Sequence, residues 1–102
     1  MEGNYNPSIM QKDLSRCFIC GMSGEKLDRH EIFHADFKGV QREKCKRMGL
    51  WVMLCHTTCH LEGAHKRKDI ALLLKQEGQR RAMEHYGLTT DEFRAMFGKN
   101  YL

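Results

Sequence analysis

Two short-spaced pairs of cysteines are the strongest constraint on how this chain can fold. Two residues separate Cys17 from Cys20 in "CFIC", and three separate Cys55 from Cys59 in "CHTTC". Zinc binds four thiolate or imidazole ligands in a tetrahedron, and two tight loops can each supply two of them. We therefore predict a closed structural zinc site formed by the four cysteines. His56 is an alternative to Cys59 as the fourth ligand.

The length of the chain makes such a site energetically important. At 102 residues, one hydrophobic core is near its marginal size. A structural zinc ion can contribute about 10–16 kcal/mol of apparent binding energy. The fifth cysteine, Cys45, stands alone in the sequence and is expected to be an ordinary thiol outside the site. The alternative to zinc is that the paired cysteines are buried or redox-active thiols.

Composition bears on the compartment and on the partners. No apolar run reaches the ~20 residues that a membrane span requires, and residues 1–16 lack the apolar stretch of a signal peptide. We therefore expect a cytoplasmic protein without membrane association, in which disulfides are rare and metal binding is favoured. The formal net charge of +4 suits a polyanionic partner but does not by itself indicate one.

The hydrophobic pattern predicts one α+β domain in three parts. Residues 1–16 are expected to form an arm and a short helix that Ser8 caps. Residues 17–65 form the core, with one strand in "EKLDRHEIF", a second over Leu50–Leu54, and a loop and short helix between them. Residues 66–102 form the C-terminal helices.

The C-terminal helices carry clear boundary signals. The first spans about residues 66–86 and is weakened by Gly78, a poor helix former. Gly87 is expected to end it. Thr89 and Glu92 have the spacing of a capping box and begin the final helix.

Histidines near the second cysteine pair predict another metal site. Its candidate ligands are His30, His60 and His65. If the four cysteines meet at one ion, His60 is brought close to the end of the strand that carries His30. Three imidazoles can bind a divalent ion and leave coordination positions open, as a hydrolytic metal requires. The neighbouring acid, Glu31, could activate water or complete the ligand set. Two other histidines are expected to be solvated surface residues: His34 and His85.

Several stretches together resemble the zinc-containing HNH endonucleases, and most closely a small phage and prophage group of them. The stretches are "CFICG", "HEIF", "GLWVMLC", "CHLEGAH" and the ending "FGKNYL", which span the chain from Cys17 to Leu102. The resemblance implies a ββα-metal (His-Me finger) core, in which a two-stranded ribbon and a helix grip one catalytic ion. It also implies DNA as the substrate and the cytoplasm of a bacterial host cell as the location.

The resemblance implies roles for the histidine site. His30 takes a metal position, and Glu31 takes the position of the general base, which is usually a histidine. His60 and His65 take the remaining metal positions, for Mg²⁺, Mn²⁺, Ni²⁺ or Zn²⁺. The base removes a proton from the attacking water, and the metal stabilises the developing charge. In an alternative register, His30 is itself the base and Asp28, on the same strand face, supplies a ligand.

The family register also extends to the residues before "GLW". Gln41 stands where the family has the asparagine that orients the base, and Cys45 replaces a serine. Basic residues beside the site are expected to contact DNA phosphates: Arg42, Lys66, Arg67 and Lys68. No aromatic platform for base stacking is evident, so we expect contacts to the DNA backbone rather than base readout.

Three hypotheses for the function follow. The first is a metal-dependent HNH endonuclease that hydrolyses DNA phosphodiester bonds. The second is a degenerate HNH module that binds DNA or protein without catalysis, because Glu31 and Gln41 replace the usual histidine and asparagine. The third is a zinc-ribbon adaptor, which predicts a single bound metal. The sequence leaves open whether the chain acts as a homodimer or beside a larger phage protein.

Overall fold

The structure, a computed structural model, describes residues 5–24, 26–34 and 40–102. Its elements in chain order are β1 Leu27–Glu31, α1 Val40–Met48, β2 Trp51–Cys55, a π-helical segment His56–Ala64, α2 Lys68–Tyr86 and α3 Thr90–Phe97. The predicted α+β class is confirmed. Within the described ranges, no helix is both long and apolar enough to cross a lipid bilayer.

Strands β1 and β2 form a two-stranded antiparallel sheet. Leu27 lies opposite Cys55, and Glu31 lies opposite Trp51. The predicted strands are confirmed, with β2 beginning one residue later than expected. Side chains alternate between the two faces of a strand, so His30 shares a face with Asp28 and not with Glu31. Four of the five β2 residues are buried, which explains their apolar run.

The core is built where α3 and α2 pack against the chain that leaves β1. The Phe33 ring lies 4.7 Å from the Phe97 ring and 5.4 Å from the Phe93 ring, between centroids. Gly78 of α2 lies against the same residues, since a Cβ there would be 2.9 Å from Cγ2 of Ile32. Gly78 therefore allows close packing of α2, a role that the sequence did not reveal.

The predicted boundaries of the C-terminal helices are confirmed. α2 begins at Lys68, two residues later than expected, and ends at Gly87, which has a φ of 67°. Glycine adopts this left-handed conformation without a Cβ clash. The Thr89 hydroxyl accepts a hydrogen bond from the Glu92 amide at 3.1 Å, and the Glu92 carboxylate accepts one from the Thr89 amide at 2.8 Å. This is the predicted capping box.

A buried glutamine holds the C-terminal tail against α2. Gln79 is fully buried, and its Nε2 donates to Oδ1 of Asn100 at 2.7 Å. Its Oε1 accepts a hydrogen bond from the Tyr101 amide at 2.7 Å. Both ends of the buried amide are therefore satisfied, as burial of a polar group requires.

The predicted helix in residues 9–16 is wrong. The Ser8 hydroxyl does accept hydrogen bonds from the Met10 and Gln11 amides, at 3.1 Å each, but the chain continues through bends and turns. The Gln11 side chain instead accepts a hydrogen bond from the Met53 amide of β2 at 2.8 Å. Pairing with the open edge of the sheet thus replaces local helix formation.

The arm is attached to the core over its described part, residues 5–7. The Asn6 amide donates to the Lys46 carbonyl at 2.9 Å, and its carbonyl accepts from the Trp51 indole at 2.8 Å. The remaining arm residues, 1–4, and most of the predicted loop before α1, residues 35–39, lie outside the described ranges.

Candidate metal centres

Four cysteine sulfurs converge between the first loop and the end of β2. The Sγ atoms of Cys17, Cys20, Cys55 and Cys59 all lie within 4.8 Å of one another. Those of Cys20 and Cys55 are 3.9 Å apart. Tetrahedral zinc with Zn–S distances of about 2.3 Å places its sulfurs about 3.8 Å apart. The cluster therefore fits a structural metal such as zinc, and Cys59 rather than His56 completes it.

Each pair is held in a similar backbone turn. The Cys20 amide points to Sγ of Cys17 at 3.5 Å, and the Cys59 amide points to Sγ of Cys55 at 3.4 Å. Gly21 follows the first pair with a φ of 75°, which lets the chain turn sharply and donate back to the Cys17 carbonyl. Amide donors that face sulfur stabilise the thiolate form that binds metal.

The surroundings shift the pKa values of two of these cysteines in opposite directions. Burial acts to raise the pKa of Cys17, but backbone hydrogen bonds from Cys20, Cys55 and Ile19 outweigh it and lower that pKa to about 7. Burial and the neighbouring thiols raise the pKa of Cys59. Since zinc binds thiolates, occupation of the cluster must release protons.

Cys45 lies outside this cluster, as predicted. Its sulfur exchanges hydrogen bonds with the backbone of Phe33, accepting from the amide and donating to the carbonyl at 3.3 Å each. Burial raises the pKa of the Cys45 thiol to about 12. It is therefore a protonated structural thiol.

Three of the predicted histidines converge in a second cluster. Ring nitrogens of His30, His60 and His65 lie within 4.8 Å of one another, and the Nε2 atoms of His60 and His65 are 3.0 Å apart. Two nitrogens bound at right angles, about 2.1 Å from one ion, would be about 3.0 Å apart. The geometry of this pair is thus compatible with shared coordination of a divalent ion.

Burial sets the protonation of the first of these histidines. His30 is only 5% exposed, and this burial, together with the neighbouring His34, His60 and His65, lowers its pKa to about 3. Burial also lowers the pKa of His65, with a further contribution from His60. Both imidazoles are therefore neutral near pH 7, the form in which histidine binds metal.

A carboxylate stands behind the histidine cluster. Oδ2 of Asp28 lies 2.8 Å from Nδ1 of His60 and 2.5 Å from Nδ1 of His56. Burial acts to raise the Asp28 pKa, but hydrogen bonds from the two histidines outweigh it and lower that pKa. When Nδ1 of His60 donates to Asp28, its Nε2 lone pair faces the cluster. A carboxylate in this position would support His60 if the histidine cluster bound a metal.

The π-helical segment decides which side chains meet. Its wide turn places residue i+5 above residue i, and the His65 amide donates to the His60 carbonyl at 3.1 Å. The segment carries Cys59 and His60, and its two caps are Cys55 and His65, so it connects the two clusters directly. Rare π-helical turns often occur at functional sites.

A cavity of about 160 Å³ opens onto the histidine cluster. Its lining consists of Arg29, His30, Glu31, His34, Arg42, His60 and His65. The Glu31 carboxylate accepts a hydrogen bond from the Tyr5 hydroxyl at 2.6 Å and lies 3.2 Å from Nε of Arg42. Its side chain is only 12% exposed. The cavity therefore combines four histidine side chains with the ion pair between Glu31 and Arg42.

The expectation that His34 is a solvated surface residue is wrong. His34 is half-buried, and its ring centroid lies 5.1 Å from that of His30 and 5.5 Å from that of His65. Burial lowers its pKa, with a further contribution from His65. The turn after β1 folds His34 back onto the cavity, which strand periodicity could not indicate. His85 is exposed on α2, as predicted.

Several other predicted site residues lie elsewhere. Nε2 of the Gln41 side chain donates to the Phe97 carbonyl at 2.9 Å, which attaches α1 to α3. Lys66 is ion-paired with Glu62, and Arg67 with Asp69. In the part of the chain that the structure describes, Arg42 is the one predicted phosphate contact that lines the cavity, and three do not: Lys66, Arg67 and Lys68.

Sequence reasoning missed an aromatic pair beside the cavity. The Tyr5 and Trp51 rings pack edge to face with centroids 5.6 Å apart, and the Arg29 guanidinium lies over both. Arg29 and Trp51 lie on diagonal positions of the paired strands, where long side chains reach each other. The register of the two strands would have been needed to find this contact.

No protein-family model, no curated protein and no solved structure matches this chain. What the protein does is therefore inferred from the geometry of its own residues.

Proposed function

We propose that the protein is a metal-dependent endonuclease of the HNH type that hydrolyses DNA phosphodiester bonds. The observation that carries this proposal is the convergence of His30, His60 and His65 on one point, with Asp28 behind His60. A buried histidine that binds no metal normally has hydrogen-bond partners at its ring nitrogens. The grouping of three imidazoles here is instead typical of a metal site.

The order of the elements supports the proposal. His30 comes from β1 of an antiparallel ribbon. His60 lies in the helical segment that follows β2, and His65 is the C-cap of that segment. This agrees with the ribbon-and-helix core implied by the motif resemblance. Three protein ligands leave room for a phosphate oxygen and for water. A divalent ion bound there would stabilise the charge that develops on the phosphate.

Residues around the cavity can serve the remaining steps. Arg42 has a half-exposed side chain next to the cluster and can contact a phosphate oxygen. Either the Glu31 carboxylate or the His34 imidazole can accept the proton of the attacking water. Glu31 contacts both Tyr5 and Arg42, and these two contacts fix the position of its carboxylate beside the cluster.

Cleavage of supercoiled plasmid by zinc-loaded protein, with added Mg²⁺, Mn²⁺ or Ni²⁺, tests this function. We expect nicked and linear DNA that depends on the added metal and is lost in His30→Ala. The matched control is His85→Ala, which removes an exposed histidine of α2 and should cut normally. Comparison of Glu31→Gln with His34→Ala identifies the base as the variant with the larger loss of cleavage rate. Equal cutting by His30→Ala and His85→Ala would overturn the proposed site.

A second candidate is a degenerate module that binds DNA without cutting it. The ion pair between Glu31 and Arg42 favours it, because the acid at the base position is already engaged. DNA binding without cleavage under any of the added metals would select this function. A metal content of one zinc per chain, with no second divalent site, would instead favour the zinc-ribbon adaptor.

A further inference from the structure

The Arg29 guanidinium lies at the cavity against two aromatic rings. Its guanidinium carbon lies 4.2 Å from the centre of the Tyr5 ring and 4.7 Å from that of the Trp51 ring. Because the two rings are nearly perpendicular, with an interplanar angle of 82°, the planar guanidinium can lie flat on only one of them. The N–H groups that do not face the other ring stay available to a ligand. Over the described ranges of the chain, no carboxylate lies within ion-pair distance of Arg29.

Each of the two rings against Arg29 is held in place by a hydrogen bond. The Trp51 indole donates to the Asn6 carbonyl at 2.8 Å, and Trp51 is almost fully buried. The Tyr5 hydroxyl donates to the Glu31 carboxylate at 2.6 Å. The Glu31 carboxylate is therefore engaged by both Tyr5 and Arg42. An arginine that is already ordered loses less side-chain entropy when it binds a ligand.

Two guanidinium groups therefore reach one cavity in different states. Arg42 is paired with Glu31, whereas Arg29 lines the cavity without an ion-pair partner among the described residues and keeps some of its N–H donors available. Planar forks of this kind recognise phosphate by two parallel hydrogen bonds.

We infer that Arg29, stacked on Tyr5 and Trp51, is a phosphate-binding residue that positions the DNA backbone at the histidine cluster. The inference rests on the proposed function, since it names a contact to the same substrate. Arg29 orients the backbone through its N–H fork, and Tyr5 and Trp51 act through Arg29 as its supports. Tyr5 thereby makes the N-terminal arm part of the substrate site.

DNA binding by a cleavage-silent protein tests this inference. Zinc-loaded His30→Ala protein is titrated into a fluorescently labelled DNA duplex at several salt concentrations, and anisotropy gives Kd. Adding Arg29→Ala should raise Kd about tenfold, the effect of losing a charge-assisted hydrogen bond. It should also reduce the slope of log K against log salt by about 0.9, the loss of one phosphate contact. A merely structural role for Arg29 would not change that slope.

Two further variants separate charge from geometry. Arg29→Lys should keep the salt slope but weaken binding several-fold, because lysine has no planar fork. Arg80→Ala, which removes an exposed arginine of α2, is the matched control and should bind like the parent. Retained zinc content and circular dichroism show that each variant is folded.

The outcomes separate this inference from the proposed function. If Arg29→Ala binds with the Kd and salt slope of its parent, the inference is overturned while the nuclease stands. If Arg29→Lys matches arginine in affinity, recognition by the fork is overturned. If the parent shows no DNA binding at any salt concentration, the inference and the proposed function fail together.

Discussion

Replacement of Asp28 by asparagine should weaken metal binding at the histidine cluster and leave the cysteine cluster intact. Oδ2 of Asp28 accepts from Nδ1 of both His60 and His56, at 2.8 and 2.5 Å. Asparagine keeps one acceptor oxygen but loses the charge. If its NH₂ group turns to His60 instead, Nδ1 must become the acceptor, and the proton moves to Nε2. That nitrogen faces His65 and could then no longer bind a metal.

The size of the effect follows from the position of Asp28 behind a ligand. Loss of such a supporting carboxylate typically reduces metal affinity 10- to 100-fold, or about 1.4–2.7 kcal/mol. We expect about tenfold for Asp28→Asn, which retains the shape of the side chain. We expect about a hundredfold for Asp28→Ala, which leaves two imidazole donors without their acceptor.

Calorimetric titration of Ni²⁺ or Mn²⁺ into protein that already holds one zinc per chain measures this affinity. The control is Asp91→Asn, at an exposed carboxylate in the first turn of α3. Equal affinities for Asp28→Asn and Asp91→Asn would refute the supporting role of Asp28. Loss of the preloaded zinc from Asp28→Asn would show that Asp28 stabilises the fold as a whole rather than His60.

Four further predictions concern the stability of the fold. Removal of zinc by a strong chelator, or the substitution Cys17→Ser, should abolish the near-ultraviolet circular dichroism of the core, since the site contributes about 10–16 kcal/mol of apparent binding energy; retention of the native spectrum would contradict this. Gly78→Ala should destabilise by about 1 kcal/mol in urea unfolding, because overpacking against Ile32 exceeds the gain in helix propensity; an increase in stability would show that the core relaxes. Gln79→Ala should lower the free energy of unfolding by about 2–3 kcal/mol in the same assay, because it removes two hydrogen bonds to the C-terminal tail. A decrease below about 0.5 kcal/mol, which is typical of a surface substitution, would contradict the role of Gln79 in holding the tail. Cys45 should resist thiol reagents at pH 8 in the zinc-loaded protein, because burial raises its pKa from 9.0 to about 12. For the same reason, its contribution to the stability of the fold is complete below pH 9 and is lost as the pH rises towards 12. Modification at pH 8 as fast as in an unfolded sample would refute the role of Cys45 as a buried, protonated thiol.

Local chemistry made part of this structure predictable. The capping box at Thr89 and the glycine at position 87 act over a few residues, so their spacing alone located the helix boundaries. The four cysteines were predictable for a related reason, because a tetrahedral ion requires ligands in short-spaced pairs. The Ser8 hydroxyl accepts hydrogen bonds from the amides that follow it, but it caps no helix, and the Gln11 side chain bonds to β2 instead.

The sequence by itself therefore determined the α+β class, the boundaries of the C-terminal helices and the grouping of the cysteines. Tertiary structure alone decided how the histidine cavity is assembled. The turn after β1 brings His34 back to the cluster, and the register of β1 with β2 places Arg29 over Trp51. The wide π-helical turn joins His60 to His65. These contacts link residues through strand pairing and backbone curvature, which neither periodicity nor spacing encodes, because several registers and turns satisfy the same pattern until the core is packed.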